Sequence, residues 1–219
     1  MSITKRITAI RESLPEGVEL VAVSKFHPAE AIKEAYEAGQ RIFGESRVQE
    51  LAVKHDALPD DIEWHMIGHL QTNKVRQIVP FISLIHSVDS RRLLECINRE
   101  AERVQRTIDC LLEVHVAAEE SKSGWDADEL RSYIASGEIC SLQNIKIRGI
   151  MGMATLTDDV AVIRHDFEQL AAIKAELALL FDENFNILSM GMSDDYHIAI
   201  EQGSTMVRIG SSIFGNRDY

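Results

Sequence analysis

Lys25 closes the run from Leu20 to Val23, and a helix-like stretch follows at once. The run is apolar and β-branched, the sort that is buried on both faces in a parallel sheet. An ammonium at such a strand end loses solvation, so its pKa falls and more of it is neutral amine. A neutral amine is a nucleophile toward carbonyl carbon. Near the other end of the chain, "GMSDDYHIAI" reads as a helix start, with Ser193 at the N-cap and acidic residues in the first turn. "RIGSSIFG" places Gly210, Ser211 and Ser212 at the start of another helical turn. Helix N-termini present unpaired N–H groups and a positive dipole end, so the two turns read as an anion cup. An amine and a phosphate cup together suggest a carbonyl ligand that carries a phosphate. Each piece also has an ordinary reading. A lysine at a strand end can snorkel to solvent, and most N-caps only cap.

The elements that must position these residues repeat along the chain. "RIFGES" is strand-like and "SRVQELAVKHDAL" helix-like; "EWHMIGH" is followed by "QTNKVRQIV", and "LIHSV" by "DSRRLLECINREAERVQ". The alternation continues through "DCLLEVHV", "IKIRGIMGM", "FNILSMGM" and "TMVRIG", each followed by a helical stretch or turn. With the first unit this makes eight strands, and strands alternating with helices imply a parallel sheet. Eight such units predict an α/β fold, a (β/α)8 TIM barrel of parallel strands with an extra N-terminal helix at residues 2–13 over its bottom or side. An open doubly wound sheet is the alternative, but the chain lacks a GxGxxG turn. No Gly/Ser/Pro-rich linker interrupts the pattern, so residues 1–219 read as a single domain. Pro28 fits the first position of the first barrel helix, and Gly39 the position just past its end.

Active sites in such barrels lie at the carboxyl ends of the strands. Lys25, Ser46, His69, Lys122, Met192, Ser193 and Arg208 all fall at predicted strand ends. Phosphate sites in this fold are often built after strands seven and eight, where the cup lies. Lys25 is then expected to face the cup across the barrel. Pyridoxal phosphate and a phosphosugar aldolase substrate both fit that pair.

The 219 residues are 45% hydrophobic and 26% charged, a balance that supports one sizeable core. The net charge of -12 comes without basic blocks, which argues against nucleic acid and anionic membrane partners. The N-terminal "MSITKRITAIRESL" is amphipathic rather than a targeting segment, and no apolar run reaches membrane-spanning length. Cys96, Cys110 and Cys140 are odd in number and show no CxxC spacing, so they read as reduced thiols of a cytoplasmic protein. His65 and His69 straddle a strand end instead of sharing a helix face, so no zinc site is expected. His65 reads as a core residue, while His86 and His115 end their strands as minor candidates for the pocket.

The segments "VAVSKFHP", "IFGESRVQE", "WHMIGHLQTNK", "EESKSG", "IRGIMGMAT" and "LSMGMSDDYHIAIEQGSTMVRIGSSIFG" resemble the YggS/PROSC family of pyridoxal-phosphate-binding proteins, over about residues 18–215. The resemblance implies a barrel like the cofactor domain of alanine racemase, with pyridoxal 5'-phosphate held as a Schiff base on Lys25. It implies a phosphate held by Ser193, Gly210 and Ser211 in the "MGMS" and "RIGS" turns, with Met192 beside them. The family's usual asparagine near the ring falls at Ser46 here, and Arg208 would face the pyridine nitrogen; His69, by its place at the top face, is a candidate to line the pocket. A guanidinium is a permanent donor, so that nitrogen should stay unprotonated and the ring should be a weak electron sink. The family is associated with intracellular pyridoxal-phosphate homeostasis without settled catalysis, and PLP-dependent apo-enzymes are the partners it suggests. One departure stands out. The family's usual "GENYVQE" is here Gly44-Glu45-Ser46-Arg47-Val48-Gln49-Glu50, so a ring contact from the usual asparagine is in doubt.

An amino-acid racemase of the alanine racemase type is the alternative, and a Schiff-base aldolase ranks behind it. A two-base racemase draws its second base from an added β-domain, and the chain ends nine residues past the expected last strand. An aldolase of this kind carries its lysine on strand six, where only Lys146 lies, near the strand's start.

Overall fold

The computed structural model of the chain describes residues 1–119 and 123–215. Lys122 lies outside the described residues. Eight parallel strands close into a barrel in sequence order. They are β1 (Glu19–Val23), β2 (Ile42–Glu45), β3 (Glu63–Met66), β4 (Leu84–Val88), β5 (Ile108–Glu113), β6 (Ile145–Met151), β7 (Ile187–Ser189) and β8 (Met206–Ile209). The helices are α1 (Ile3–Ser13), α2 (Ala29–Glu37), α3 (Val48–Ala57), α4 (Val75–Ile78), α5 (Arg91–Arg103), α6 (Ala127–Ala135), α7 (Val160–Leu177), α8 (Tyr196–Glu201) and α9 (Ser211–Phe214). The expected (β/α)8 barrel is therefore present, with α1 ahead of β1.

Closure makes β1 and β8 direct neighbours, with Val21 opposite Arg208 and Ala22 opposite Ile209. This corrects the expectation that Lys25 faces the cup across the barrel. The first and last strands of a closed barrel must pair, so the two features lie side by side.

Two apolar layers build the core. Val21, Leu84, Leu111, Met151 and Met206 fill the barrel interior. A larger layer, including Phe43, Trp64 and Phe167, packs the strands against the helices. Strands flanked on both sides by such layers read as continuous apolar runs, which is why they were visible in the sequence. α1 lies on the barrel's side against α2 and α9. Its N-cap Ser2 accepts from Lys5 N. Pro28 occupies the N-cap of α2 rather than its first helical position, and Gly39 follows the helix at φ +92°. Among the described residues no helix is long and apolar enough to cross a membrane.

Candidate functional site

The lysine turn begins where β1 ends. Ser24 is buried, Lys25 partly buried, and Phe26 takes φ 68°. A bulky residue in the left-handed region is uncommon and needs support from its surroundings. That support comes from α3, whose Lys54 is buried although lysines rarely are. Lys54 Nζ donates to Ser24 O at 2.8 Å and to Glu45 Oε1 and Glu50 Oε1 at 2.7 Å each. Ser24 Oγ donates to Glu45 Oε1 at 2.6 Å, and Phe26 N donates to Glu50 Oε1 at 2.6 Å. Burial pushes the Glu45 carboxyl up, while Lys54 pulls it back down. Two aromatic contacts extend the turn. The His27 ring stacks on Phe214 of α9 at 5.0 Å, and the Arg47 guanidinium lies 4.8 Å over the Phe26 ring. Arg47, where the resembled family has a tyrosine, is thus a cation–π cap on the lysine turn.

The cup after β7 and β8 is one unit. Gly210 N donates to Ser193 Oγ at 3.3 Å, which ties the two turns together. A Cβ on Gly210 would lie 3.2 Å from Val23 O and 3.3 Å from Val23 Cβ. The cup therefore touches the end of β1, two residues before Lys25. Ser211 and Ser212 open α9, and their N–H groups find no acceptor among the described residues, as first-turn donors usually do not. Ser193 does not cap α8 as expected. It lies in a turn, and α8 starts later, at Tyr196. Asp195 takes over locally, accepting from Met192 N at 2.5 Å. Gly191, at φ +97°, lets this turn pack against α8, where a Cβ would sit 2.7 Å from that of Ala199.

Arg208 is buried inside the barrel. Nη1 donates to Ser189 O at 2.8 Å and to Ser189 Oγ at 2.7 Å, and Nη2 donates to Gly152 O at 3.1 Å. Ser189 Oγ, which accepts from Arg208, also lies 3.1 Å from His86 Nδ1, and His86 Nε2 lies 2.9 Å from His65 Nδ1. A hydroxyl has one proton and two lone pairs, so either neutral tautomer of His86 completes the chain. Burial favours neutral imidazoles, pushing His65 down to about 3 and His86 well below its ordinary value. Glu113 is buried at the end of β5, and its Oε2 has no partner among the described residues. Burial pushes its carboxyl up to about 7, Asp89 adds to the rise, and Arg208 opposes it.

The remaining predicted residues sit around this mouth. A Cβ on Gly68 would lie 2.6 Å from Ser46 O, so a glycine there lets the turns after β2 and β3 touch and brings Ser46 beside His69. His69 is exposed at the rim, with Nδ1 3.0 Å from Asp89 Oδ2. Met192 is exposed beside the cup. Sequence reasoning missed Lys54 and Glu113. The Glu50/Lys54 spacing reads as an ordinary exposed i,i+4 pair, and Glu113 reads as a strand-end acid.

The family model described as "Alanine racemase, N-terminal domain" matches residues 1–218. A "Pyridoxal phosphate homeostasis protein" of Vibrio alginolyticus is 42% identical over 210 residues, spanning 94% of this chain and 89% of its own length. PipY of Synechococcus elongatus, solved without PLP, superposes with a TM-score of 0.91 at 42% identity, covering 98% of this chain and 100% of that one. The same protein with PLP bound gives a TM-score of 0.89 at 41% identity, again covering 98% and 100%.

Proposed function

The chain belongs to the pyridoxal phosphate homeostasis protein family, and on that premise we propose that it binds pyridoxal phosphate at the barrel mouth and serves intracellular supply of the cofactor with little turnover. One observation carries the reading: β8 closes on β1, so Gly210 of the cup packs against Val23, two residues before Lys25. Pyridoxal phosphate carries its aldehyde and its phosphate arm on adjacent ring carbons. A ligand of that shape needs an amine and an anion cup side by side, not opposed.

When bound, the cofactor supplies an aldehyde able to condense with an amine and a ring able to draw electrons. Lys25 is the amine in this reading and holds the ligand as a Schiff base. Ser193, Gly210 and Ser211 present hydroxyl and N–H donors to the phosphate. Ser46, His69 and Met192 form the rim. Arg208 faces the ring nitrogen and can only donate, which keeps proton density off that nitrogen. The orphaned Glu113 Oε2 beside this cation fits a polar ligand better than an apolar one. PLP-dependent apo-enzymes in the cytoplasm are the recipients in this reading, and residues 1–219 act as one domain.

Borohydride reduction of the loaded protein, followed by peptide mass spectrometry, should place the pyridoxyl adduct on Lys25. An adduct found only on another lysine would sink the site assignment. The family model also covers a racemase reading. Incubation with L-alanine in deuterated water should show little α-proton exchange, and exchange at about 1 per second or faster would put that reading first.

A further inference from the structure

The buried Lys54 lies outside the barrel wall, behind the lysine turn, and its contacts converge on the two peptide groups that flank Lys25. Lys54 Nζ holds the carbonyl of Ser24 at 2.8 Å, and Glu50 Oε1 holds the N–H of Phe26 at 2.6 Å. The same Nζ joins Glu50 to Glu45 at 2.7 Å each, and Glu45 Oε1 also takes the Ser24 hydroxyl at 2.6 Å. Phe26 takes φ 68°, a conformation its side chain disfavours. A turn of this kind relaxes unless its neighbours over-determine it.

We infer that Lys54 and Glu50 are positioning residues that clamp the turn on both sides of Lys25 and thereby set the place of its amine relative to the cup. The inference rests on the reading of Lys25 as the amine that holds the ligand. The α3 helix is the arm of the clamp: Glu50 and Lys54 are one turn apart on it, and Glu45 closes the cluster from the end of β2. The three side chains touch the turn from behind, so they steer the amine without contacting the ligand.

The cup and the amine can be probed separately. Pyridoxamine phosphate has the ring and the phosphate but no aldehyde, so its affinity reports the cup alone. Pyridoxal phosphate reports both. Two variants are compared with the unaltered protein: Lys54→Met, and the milder Glu50→Ala, which leaves the Lys54–Glu45 pair in place. Each should bind pyridoxal phosphate at least fivefold more weakly and give less borohydride-trapped adduct on Lys25. Each should bind pyridoxamine phosphate within about twofold of the unaltered protein. Amide hydrogen exchange at Phe26 in ligand-free protein should speed up at least tenfold in Glu50→Ala. That readout needs no ligand and stands even where Lys54→Met does not fold. Equal loss for both ligands, or unchanged Phe26 exchange with unchanged trapping, overturns the clamp. An unaltered protein that traps no adduct on Lys25, while Phe26 exchange still responds to Glu50→Ala, overturns the reading of Lys25 and leaves the clamp as a brace of the backbone.

Discussion

Two buried cations lie near the same end of the barrel, and their surroundings differ. Lys54, between the barrel wall and α3, has two carboxylate oxygens at 2.7 Å and a carbonyl at 2.8 Å. Arg208, inside the barrel, is met among the described residues only by carbonyls and a hydroxyl, and the hydrogen-bonded chain beyond it consists of neutral histidines. Among the described residues no carboxylate makes an ion pair with Arg208; Glu113 and Asp195 act on it only through space. A buried charge whose counter-charge is already in place is scaffolding, because adding a ligand gains nothing there. A buried charge met by neutral acceptors still has a counter-charge to gain from a polar ligand. On the proposed reading, the outer cation belongs to the frame of the site and the inner one to the site.

Breaking the outer cluster should have the largest effect. Lys54→Met strands the fully buried Glu45 carboxylate, and removing one partner of a buried pair typically costs about 3–5 kcal/mol. For a chain of this size the melting temperature of ligand-free protein should fall by roughly 6–20 °C. Ser193→Ala, which removes one long bond to Gly210, should cost under about 1 kcal/mol. Calorimetry on both variants checks the contrast, and similar losses would erase the distinction between frame and site.

The inner cluster should show itself through pH. Burial raises the Glu113 carboxyl to about 7 from an ordinary 4.5, so the folded state favours its neutral form. The unfolded chain releases that proton earlier. The stability this group contributes is full below pH 4.5 and is lost as pH rises through 7. Glu113→Gln keeps the group neutral throughout. In ligand-free protein it should therefore match the unaltered chain near pH 4.5 and exceed it at pH 8, by on the order of 3 kcal/mol. Urea unfolding at both pH values decides this, and a variant less stable at pH 8 would mean that the Glu113 carboxylate is welcome in the fold.

The barrel was legible in the sequence because buried parallel strands read as mostly apolar runs, as residues 20–23 do, and glycines mark several of the turns after them. The proposed cup could be read only as residue types at the ends of strands seven and eight. Its geometry was not. Ser193 looked like a helix cap, but Asp195 carries the turn and α8 starts at Tyr196. The adjacency of amine and cup was hidden because it depends on closure, a property of all eight strands rather than of any motif. Lys54 was hidden for a simpler reason: four residues after Glu50, it has the spacing of a solvent-exposed pair, and only the packing of α3 on the strands buries it. The Arg47 departure from the family pattern gained a physical role only once Phe26 was seen beneath it.

The central claim is that the turns after β7 and β8 hold a phosphate next to the Lys25 amine. Titrating the Ser193→Ala/Ser211→Ala double variant with pyridoxal phosphate and with pyridoxal tests it most directly. Hydrogen bonds to a charged group contribute about 1.5–3 kcal/mol each, so affinity for pyridoxal phosphate should fall at least about tenfold. Pyridoxal has no phosphate to lose, and its affinity for the variant should stay within about threefold of that for the unaltered protein, a change of under about 0.7 kcal/mol. Equal losses for the two ligands would contradict the account and move the phosphate away from Ser193 and Ser211.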